Sequence, residues 1–304
     1  MPSVAHDDYD EFALFHENLE EWGLDVPIPH VRRFFVGVDG LRQVSGLVWG
    51  DAAPELALVH GGAQNAHTFD TTALALGRPL VAIDLPGHGH SDAAPYPPSQ
   101  IERLAADLVG TLEQVAPTSR ALVGMSLGGL ASLVVAHERP DLVRTLVLID
   151  ITPGVNADKA RHITDFVNGP ASFDDFDAIL ARTIAHNPTR SAASLRRGIA
   201  HNAERRSDGT WVWRHQRHAP VTLDAPDPER ATRLWQWLEE LTMPVTLLRG
   251  MAAGSVVDDA DEAEFLRRQP SACVVHVADA GHSIQGDQPL ALAALLERFC
   301  AAQE

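Results

Sequence analysis

Cysteine is scarce in this sequence, with only Cys273 and Cys300 among 304 residues. Cys273 lies in an apolar run typical of a strand, and Cys300 in a run typical of a helix. We therefore expect two buried free thiols rather than a disulfide. Long apolar runs are also lacking, since none approaches the roughly 18 residues that a membrane-spanning helix needs. The first residues, MPSVAHDDYDEF, have no basic segment and no apolar core, so we expect no secretory signal peptide and a cytoplasmic location.

Positive charge is also scarce. The chain has 24 Lys and Arg residues and 41 Asp and Glu residues, which gives a formal net charge of −17. Nucleic acids and anionic membranes attract proteins that carry stripes of Lys and Arg. We expect neither as a partner. A length of 304 residues allows one large domain with an insertion or two small domains. A homodimer is one assembly that the sequence leaves open.

Short apolar runs do recur along the chain, and helix-like segments separate them. The runs interpreted as buried strands are ELALVHGG, RPLVAIDLPG, RALVGMS, LVRTLVLID, MPVTLLRG and SACVVHVADAGH. Runs rich in Val, Leu and Ile without polar alternation are typical of a parallel sheet covered on both faces. The alternation of strands and helices predicts a doubly wound α/β fold. Before these runs, residues 30–50 predict a hairpin of two strands around Asp39 and Gly40.

The alternation is interrupted after Asp150 and resumes near residue 243. Residues 153–240 contain several helix-like segments and one aromatic strand candidate, TWVWR, and residues 1–29 predict an N-terminal helix or a loose arm. We predict a core of residues 30–152 and 241–304, with residues 153–240 inserted as a helical cap. Its aromatic residues are expected mostly to form a core within the cap, with a few lining a pocket: Phe166, Phe173, Phe176, Trp211, Trp213, Trp235 and Trp237.

Ser126 is framed by two glycines in GMSLG, directly after an apolar run and before a helix-like segment. This is the G-x-S-x-G pattern of a nucleophile elbow in the strand-to-helix context that the pattern requires. The turn is so sharp that Gly124 and Gly128 must lack side chains. The N-terminus of the following helix directs free N–H groups toward the serine, which favours an oxyanion there. We predict Ser126 to be a nucleophile.

A serine hydroxyl needs a base, because it is almost never ionised at neutral pH. His282 follows the last strand-like run, at the sheet edge where such folds place their chemistry, and Gly281 before it allows a tight turn. A second loop, HGGA, follows an earlier strand at the same edge. We predict that the N–H groups of Gly62 and Leu127 form an oxyanion hole, with Ala63 as the alternative to Gly62.

Five segments in this order, HGGAQNAHTFD, DLPGHGHSD, GMSLGGL, LVLIDITPG and AGHSIQGDQP, resemble the α/β-hydrolase superfamily. The resemblance is to its lid-bearing serine hydrolases, which include esterases, lactonases and carbon–carbon bond hydrolases, and it covers roughly residues 30–304. It implies the α/β-hydrolase fold, a Ser-Asp-His triad, and a substrate held between core and cap. It also implies that hydrolysis uses no cofactor.

The acid of the triad is where the chain departs from the family pattern. The resemblance implies an acid at the third residue after the glycine of LLRG, which is Ala253. A second family arrangement has the acid at the end of the preceding core strand, which is Asp150. We predict Asp150, with Asp258 or Asp259 as the alternative. Asp84 also ends a strand, and we expect its carboxylate to bond to loop amides.

Other histidines have weaker claims to chemistry. His60 is expected to brace the turn that it precedes, and solvated or structural roles are expected for His67, His88 and His90. His215 and His218 have a spacing that suits a metal on a helix, but we expect ordinary cap surface there. The sequence has no HExxH and no CxxC motif, and no GxGxxG motif follows the first strand, so we expect no metal site and no redox cofactor.

The function predicted from these features is hydrolysis of a carboxylic ester, lactone or thioester of a small or medium organic molecule, through an acyl-enzyme. One alternative is a carbon–carbon bond hydrolase of vinylogous diketones with the same triad. The other is a binding protein of this fold without catalytic activity, which would have no need to keep both Ser126 and His282.

Overall fold

A central sheet with helices on both faces organises the chain in the computed structural model, which describes residues 9–155, 158–216 and 228–301. The described strands, in chain order, are β1 (Val31–Gly37), β2 (Gln43–Trp49), β3 (Leu56–Val59), β4 (Leu80–Ile83), β5 (Ala121–Met125), β6 (Leu146–Ile149), β7 (Ser172–Phe173), β8 (Ala203–Arg205), β9 (Trp211–Trp213), β10 (Val245–Gly250) and β11 (Cys273–Val277). The described helices are α1 (Phe15–Trp22), α2 (Asp70–Leu76), α3 (Ile101–Val115), α4 (Leu127–Glu138), α5 (Arg161–Val167), α6 (Phe176–His186), α7 (Ala192–Asn202), α8 (Pro228–Glu240), α9 (Asp259–Arg268), α10 (Ile284–Asp287) and α11 (Pro289–Ala301).

The central sheet has the order β1-β2-β4-β3-β5-β6-β10-β11 within the described ranges. β1 and β2 form the predicted antiparallel hairpin, and β2 also pairs antiparallel with β4. Along the rest of this sheet, in the order β4-β3-β5-β6-β10-β11, each strand pairs parallel with its neighbour. The mostly parallel, doubly wound sheet with N-terminal hairpin strands is therefore confirmed.

Each face of the sheet is covered by its own group of helices, because side chains alternate between the faces along a strand. In β3, Ala57 and Val59 pack with residues of α3, α4, α8 and α9. Leu56 and Leu58 point the other way and pack with residues of α1, α2 and α11. The central strands are buried on both sides, which explains why their sequences lack polar alternation.

The edge strand β11 corrects one prediction. Cys300 is a buried free thiol in α11, as expected, but Cys273 is exposed. β11 is the edge strand of the sheet, and its residues before Val277 are exposed or half-buried. An apolar run of this length predicts a strand, but the run itself does not distinguish a central strand from an edge strand.

Helices α5 to α8 and a small antiparallel sheet, ordered β7-β9-β8, lie between β6 and β10 in the chain. TWVWR forms β9, and two short strands that the sequence did not predict flank it. Phe173 and Trp211 are buried with Ile179 and Ile199 in a separate apolar cluster, whereas Trp235 of α8 packs into the core beneath the central sheet. The division of the chain into core and cap stays a prediction.

Helix α1 and the residues before it dock through charged side chains. Glu11 pairs with Arg33, and Arg33 also donates to Asp84, 2.6 Å away. Glu11 Oε2 lies 3.1 Å from His67 Nε2, and Asp70 Oδ2 lies 2.9 Å from His67 Nδ1. Although burial opposes protonation of His67, the two carboxylates raise its pKa to about 9. This histidine is structural and buried, not solvated.

Raising the pH should therefore weaken the fold. A histidine whose folded pKa is raised contributes stability in full below its unfolded pKa of about 6.5, and that contribution is lost as the pH rises through about 9. We expect the free energy of unfolding to fall by up to about 3 kcal/mol across this window. Urea unfolding at pH 6.5, 8 and 9.5 measures it. His67→Gln should flatten the profile, and equal slopes in the two proteins would contradict the assignment.

Among the described residues, no helix combines the length and the apolar composition that a bilayer crossing demands.

Candidate active site

Ser126 occupies a sharp turn between β5 and α4, with φ 50° and ψ −118°. A positive φ is strained for a residue with a side chain and costs about 1–3 kcal/mol. A Cβ added at Gly128 would lie 2.4 Å from the backbone oxygen of His60, and one added at Gly124 would lie 2.6 Å from the backbone oxygen of Gly128. Both obstacles are backbone atoms that cannot rotate away, so the framing glycines are required by packing.

His282 and Asp150 are in contact, although 132 positions separate them in the chain. Nδ1 of His282 lies 3.0 Å from Oδ2 of Asp150. Asp150 follows β6 and is completely buried, whereas the His282 side chain is 11% exposed and lines a cavity. A proton on Nδ1 donated to the carboxylate leaves Nε2 of His282 as the nitrogen able to accept a proton.

The end of β10 and the loop after it hold the Asp150 carboxylate in place. Gly250 N–H and the Ser255 hydroxyl donate to Oδ1, at 2.9 and 2.6 Å. Val256 N–H donates to Oδ2 at 2.9 Å. Asp150 itself has a positive φ of 46°, which these contacts compensate. The family pattern implies that the triad acid lies in the loop after β10. In this chain that loop instead supplies hydrogen-bond donors to the carboxylate of Asp150, which follows the neighbouring strand β6. These donors were missed by sequence reasoning, because two are backbone groups.

The alternative acids are occupied elsewhere. Asp258 caps α9 through a capping box and pairs with Lys159. Asp259 is 97% exposed and lies 2.7 Å from Arg249. Asp84 accepts hydrogen bonds from the N–H groups of Ala66 and His90, the structural role predicted for it. Although burial opposes it, the Arg33 guanidinium holds the pKa of Asp84 well below its usual range.

Two backbone N–H groups remain open near Ser126. Leu127 is the first residue of α4, so its N–H has no partner within the helix. No acceptor for the N–H of Gly62 or of Leu127 lies among the described residues. The N–H of Ala63 instead donates to Nε2 of His88 at 3.1 Å. Of the two residues predicted for the second donor, Gly62 is the one whose N–H is free.

Neutral histidines support this loop. His60 Nε2 accepts from Leu85 N–H at 2.9 Å, while its Nδ1 lies 2.7 Å from the carbonyl of Gly61. Burial, together with the neighbouring His60 and His215, lowers the pKa of His88 to about 3. An unprotonated Nε2 can accept the N–H of Ala63, so His88 has a structural role rather than a solvated one. His215 is also buried, which corrects the expectation of cap surface, and His218 lies outside the described residues.

Ser126, Leu127, Gly62 and His282 line one cavity of about 1070 Å³. Its other wall comes from the segment between β6 and β10, including Phe166, Trp213 and Arg190. A cavity of this size accommodates a small or medium organic molecule. Two of the seven aromatic residues singled out in the sequence, Phe166 and Trp213, line it. Arg190, the cation of this wall, carried no sequence signal.

One group of side chains has the composition of a metal site. Donor atoms of His67, Asp70 and His201 lie within 4.8 Å of one another, and all three residues are buried. The two imidazole rings are stacked, however, with centroids 3.8 Å apart and planes inclined by 7°. An imidazole nitrogen binds a metal in the plane of its ring, and no single position lies in both of these parallel planes. As arranged, the group does not suit a metal.

Comparisons with known proteins show the family of this chain. The model of the alpha/beta hydrolase family matches residues 56–295. The chain belongs to this family. Its sequence is 42% identical over 294 residues to esterase Rv0045c of Mycobacterium tuberculosis, covering 93% of each chain. A solved structure of that esterase has a TM-score of 0.82 and 39% identity, covering 97% of this chain and 100% of the other.

A more distant relative, 2-(acetamidomethylene)succinate hydrolase of Mesorhizobium japonicum, is 29% identical over 78% of this chain and 84% of its own length. A solved structure of an E-2-(acetamidomethylene)succinate hydrolase has a TM-score of 0.75 and 25% identity, covering 89% of this chain and 99% of the other. The predicted family and fold are confirmed by these comparisons.

Proposed function

We propose that the protein is a serine esterase that cleaves carboxylic esters of small or medium organic molecules through an acyl-enzyme. The contact between His282 and Asp150, beside the cavity that Ser126 also lines, is the observation that carries the proposal. The 42% identical esterase supports ester hydrolysis as the reaction. Lactones and thioesters present the same carbonyl chemistry, and activity on them is part of the proposal.

The proposed reaction begins with attack of the Ser126 hydroxyl on the ester carbonyl. Nε2 of His282 takes the hydroxyl proton, and Asp150 stabilises the imidazolium through Nδ1 and keeps the ring in the required tautomer. The C–O bond to the alcohol then breaks, and the alcohol leaves with the proton from His282. Water, activated by the same nitrogen, attacks the acyl-enzyme and releases the acid.

The N–H groups of Gly62 and Leu127 are the proposed donors to the oxyanion of each tetrahedral intermediate. Neither N–H has an acceptor in the described part of the chain, which supports this role, because a donor already engaged would gain little from the developing charge. Each such donor typically lowers the barrier by about 3 kcal/mol. His88 contributes indirectly by holding the N–H of Ala63, which orients the loop that carries Gly62.

Residues 153–240 act, in this proposal, as a cap that encloses the substrate. Phe166 and Trp213 give the cavity wall an apolar surface. The wall also contains polar groups, so the cavity is better matched to a functionalised organic ester than to a purely aliphatic one.

Hydrolysis of a panel of 4-nitrophenyl esters, from acetate to laurate, tests the proposed function. We expect turnover with a burst of nitrophenol close to one equivalent per enzyme, the sign of an acyl-enzyme. The panel should be run beside a vinylogous diketone. Rapid cleavage of the diketone with little ester turnover would favour a carbon–carbon bond hydrolase, and tight binding without turnover of either would favour a non-catalytic binding protein.

A further inference from the structure

Arg190 lies on the cavity wall, and no carboxylate of the described residues forms an ion pair with it. It precedes α7, and its Nη2 donates to the hydroxyl of Ser194 at 2.8 Å. In the described part of the chain this is its single side-chain hydrogen bond, and its Nε is buried with no acceptor. No ion pair joins it to any carboxylate of that part. This partly buried cation has no paired anion among the described residues to offset its desolvation.

The two carboxylates whose charges act on Arg190, those of Glu21 and Asp287, form hydrogen bonds with other groups. Glu21 uses its two oxygens for Ser191 and Arg197. Asp287 Oδ2 accepts the N–H of Gly281 at 2.9 Å. Burial lowers the pKa of Arg190, and the charges of Asp287 and Glu21 oppose that effect only in part. The guanidinium is therefore incompletely compensated by the protein itself.

The guanidinium lies close to the catalytic loop. A Cβ added at Gly286 would lie 2.8 Å from Cζ of Arg190 and 2.9 Å from Nη1. Gly286 belongs to α10 and follows His282 by four residues. Both Gly286 and Arg190 line the cavity that contains Ser126 and His282. An anion bound by this guanidinium would thus share the cavity with the reacting ester.

We propose that Arg190 binds a carboxylate on the substrate, so that the enzyme prefers esters that carry a carboxylate remote from the scissile bond. Guanidinium and carboxylate are complementary planar groups that form charge-assisted hydrogen bonds. Nη1 has no hydrogen-bond partner among the described residues, and its N–H groups are the donors available to such a carboxylate. The inference rests on the proposed esterase function and adds the class of substrate. With a net charge of −17, the overall field of the protein repels anions, so any preference must come from a local site.

The test compares monoethyl esters of succinate, adipate and suberate with the corresponding ethyl ester amides, which have the same shape and no charge. A second series, butyrate esters of ω-hydroxy acids and of their amides, distinguishes a carboxylate on the acyl part from one on the alcohol part. Released products are quantified by chromatography, and the readout is the ratio of kcat/KM for the carboxylate to that for the amide.

In the wild type we expect this ratio to exceed tenfold for at least one chain length in one of the two series, in keeping with hydrogen bonds to a charged group. Arg190→Gln should lower the ratio about tenfold or more, and Arg190→Lys should retain part of it. Gly286→Ala keeps the charge but displaces the guanidinium, and should lower the ratio in the same direction. Arg206→Gln removes an exposed arginine outside the cavity and should leave the ratio unchanged.

A wild-type ratio near or below one in both series overturns the proposal, as does an equal change in Arg190→Gln and Arg206→Gln. If Arg190→Gln does not fold, inhibition of the wild type decides: adipate must inhibit hydrolysis of a neutral ester more strongly than adipamide, and the reverse order overturns the proposal. Failure of the proposed function is distinct, because the wild type would then hydrolyse neither the charged nor the neutral esters.

Discussion

Replacing Ser126 with alanine should lower kcat for ester hydrolysis by about 10⁵-fold while leaving the fold intact. The substitution removes the oxygen that forms the acyl-enzyme. Alanine tolerates the positive φ of this turn about as well as serine does, so the structural cost is small. Steady-state kinetics with 4-nitrophenyl butyrate, together with circular dichroism, measures both quantities.

Ser132 provides a matched control on the same helix. It is completely buried in α4, and its hydroxyl has no hydrogen-bond partner among the described residues. Ser132→Ala should keep kcat within about twofold of the wild type. If Ser126→Ala retained most of its activity, or if both variants lost it equally, Ser126 would not be the nucleophile.

Asp150→Asn should lower kcat by about 10⁴-fold, as expected when the partner of a catalytic histidine can no longer hold the required tautomer. The amide has nearly the same shape, but one of its two terminal atoms is a donor. At the position of Oδ2, the amide group would meet the Nδ1–H of His282 and the N–H of Val256, and at the position of Oδ1 it would meet the N–H of Gly250. One of these donors would then be unsatisfied, so we also expect a loss of stability of about 1–3 kcal/mol.

Asp258→Asn is the control for that prediction, because Asp258 is the alternative acid and its side chain is 48% exposed. Asparagine is an effective helix N-cap, so α9 should persist and kcat should stay within about twofold. The opposite result, near-normal activity in Asp150→Asn with a collapse in Asp258→Asn, would assign the triad acid to the loop after β10.

Local signals were sufficient for much of the fold and for part of the site. The strands before Ser126 and His282 were predictable because both have apolar sequences, and Ser126 was predictable because a glycine-framed serine has few structural explanations. The choice between Asp150 and Asp258 was not local, since both follow core strands. It depends on how β6 and β10 pair, which brings Ser255 and Val256 onto the Asp150 carboxylate.

Other features were not predictable because they depend on contacts between distant segments. The exposure of Cys273 follows from the edge position of β11, and the burial of His67 follows from docking of Glu11, 56 residues earlier in the chain. Arg190 resembled any other arginine of a polar helical segment. Its significance lies in what surrounds it: a cavity, a glycine that leaves room for the guanidinium, and no paired carboxylate among the described residues.

The central claim is that Ser126 carries the acyl group during turnover, and trapping that intermediate tests it most directly. The enzyme is mixed with 4-nitrophenyl butyrate, quenched in acid within the burst phase and digested, and the peptides are analysed by mass spectrometry. The account predicts one butyryl group on the peptide that contains Ser126, and none in Ser126→Ala. A burst of nitrophenol with the butyryl group on another residue, or with the Ser126 peptide unmodified, would contradict it.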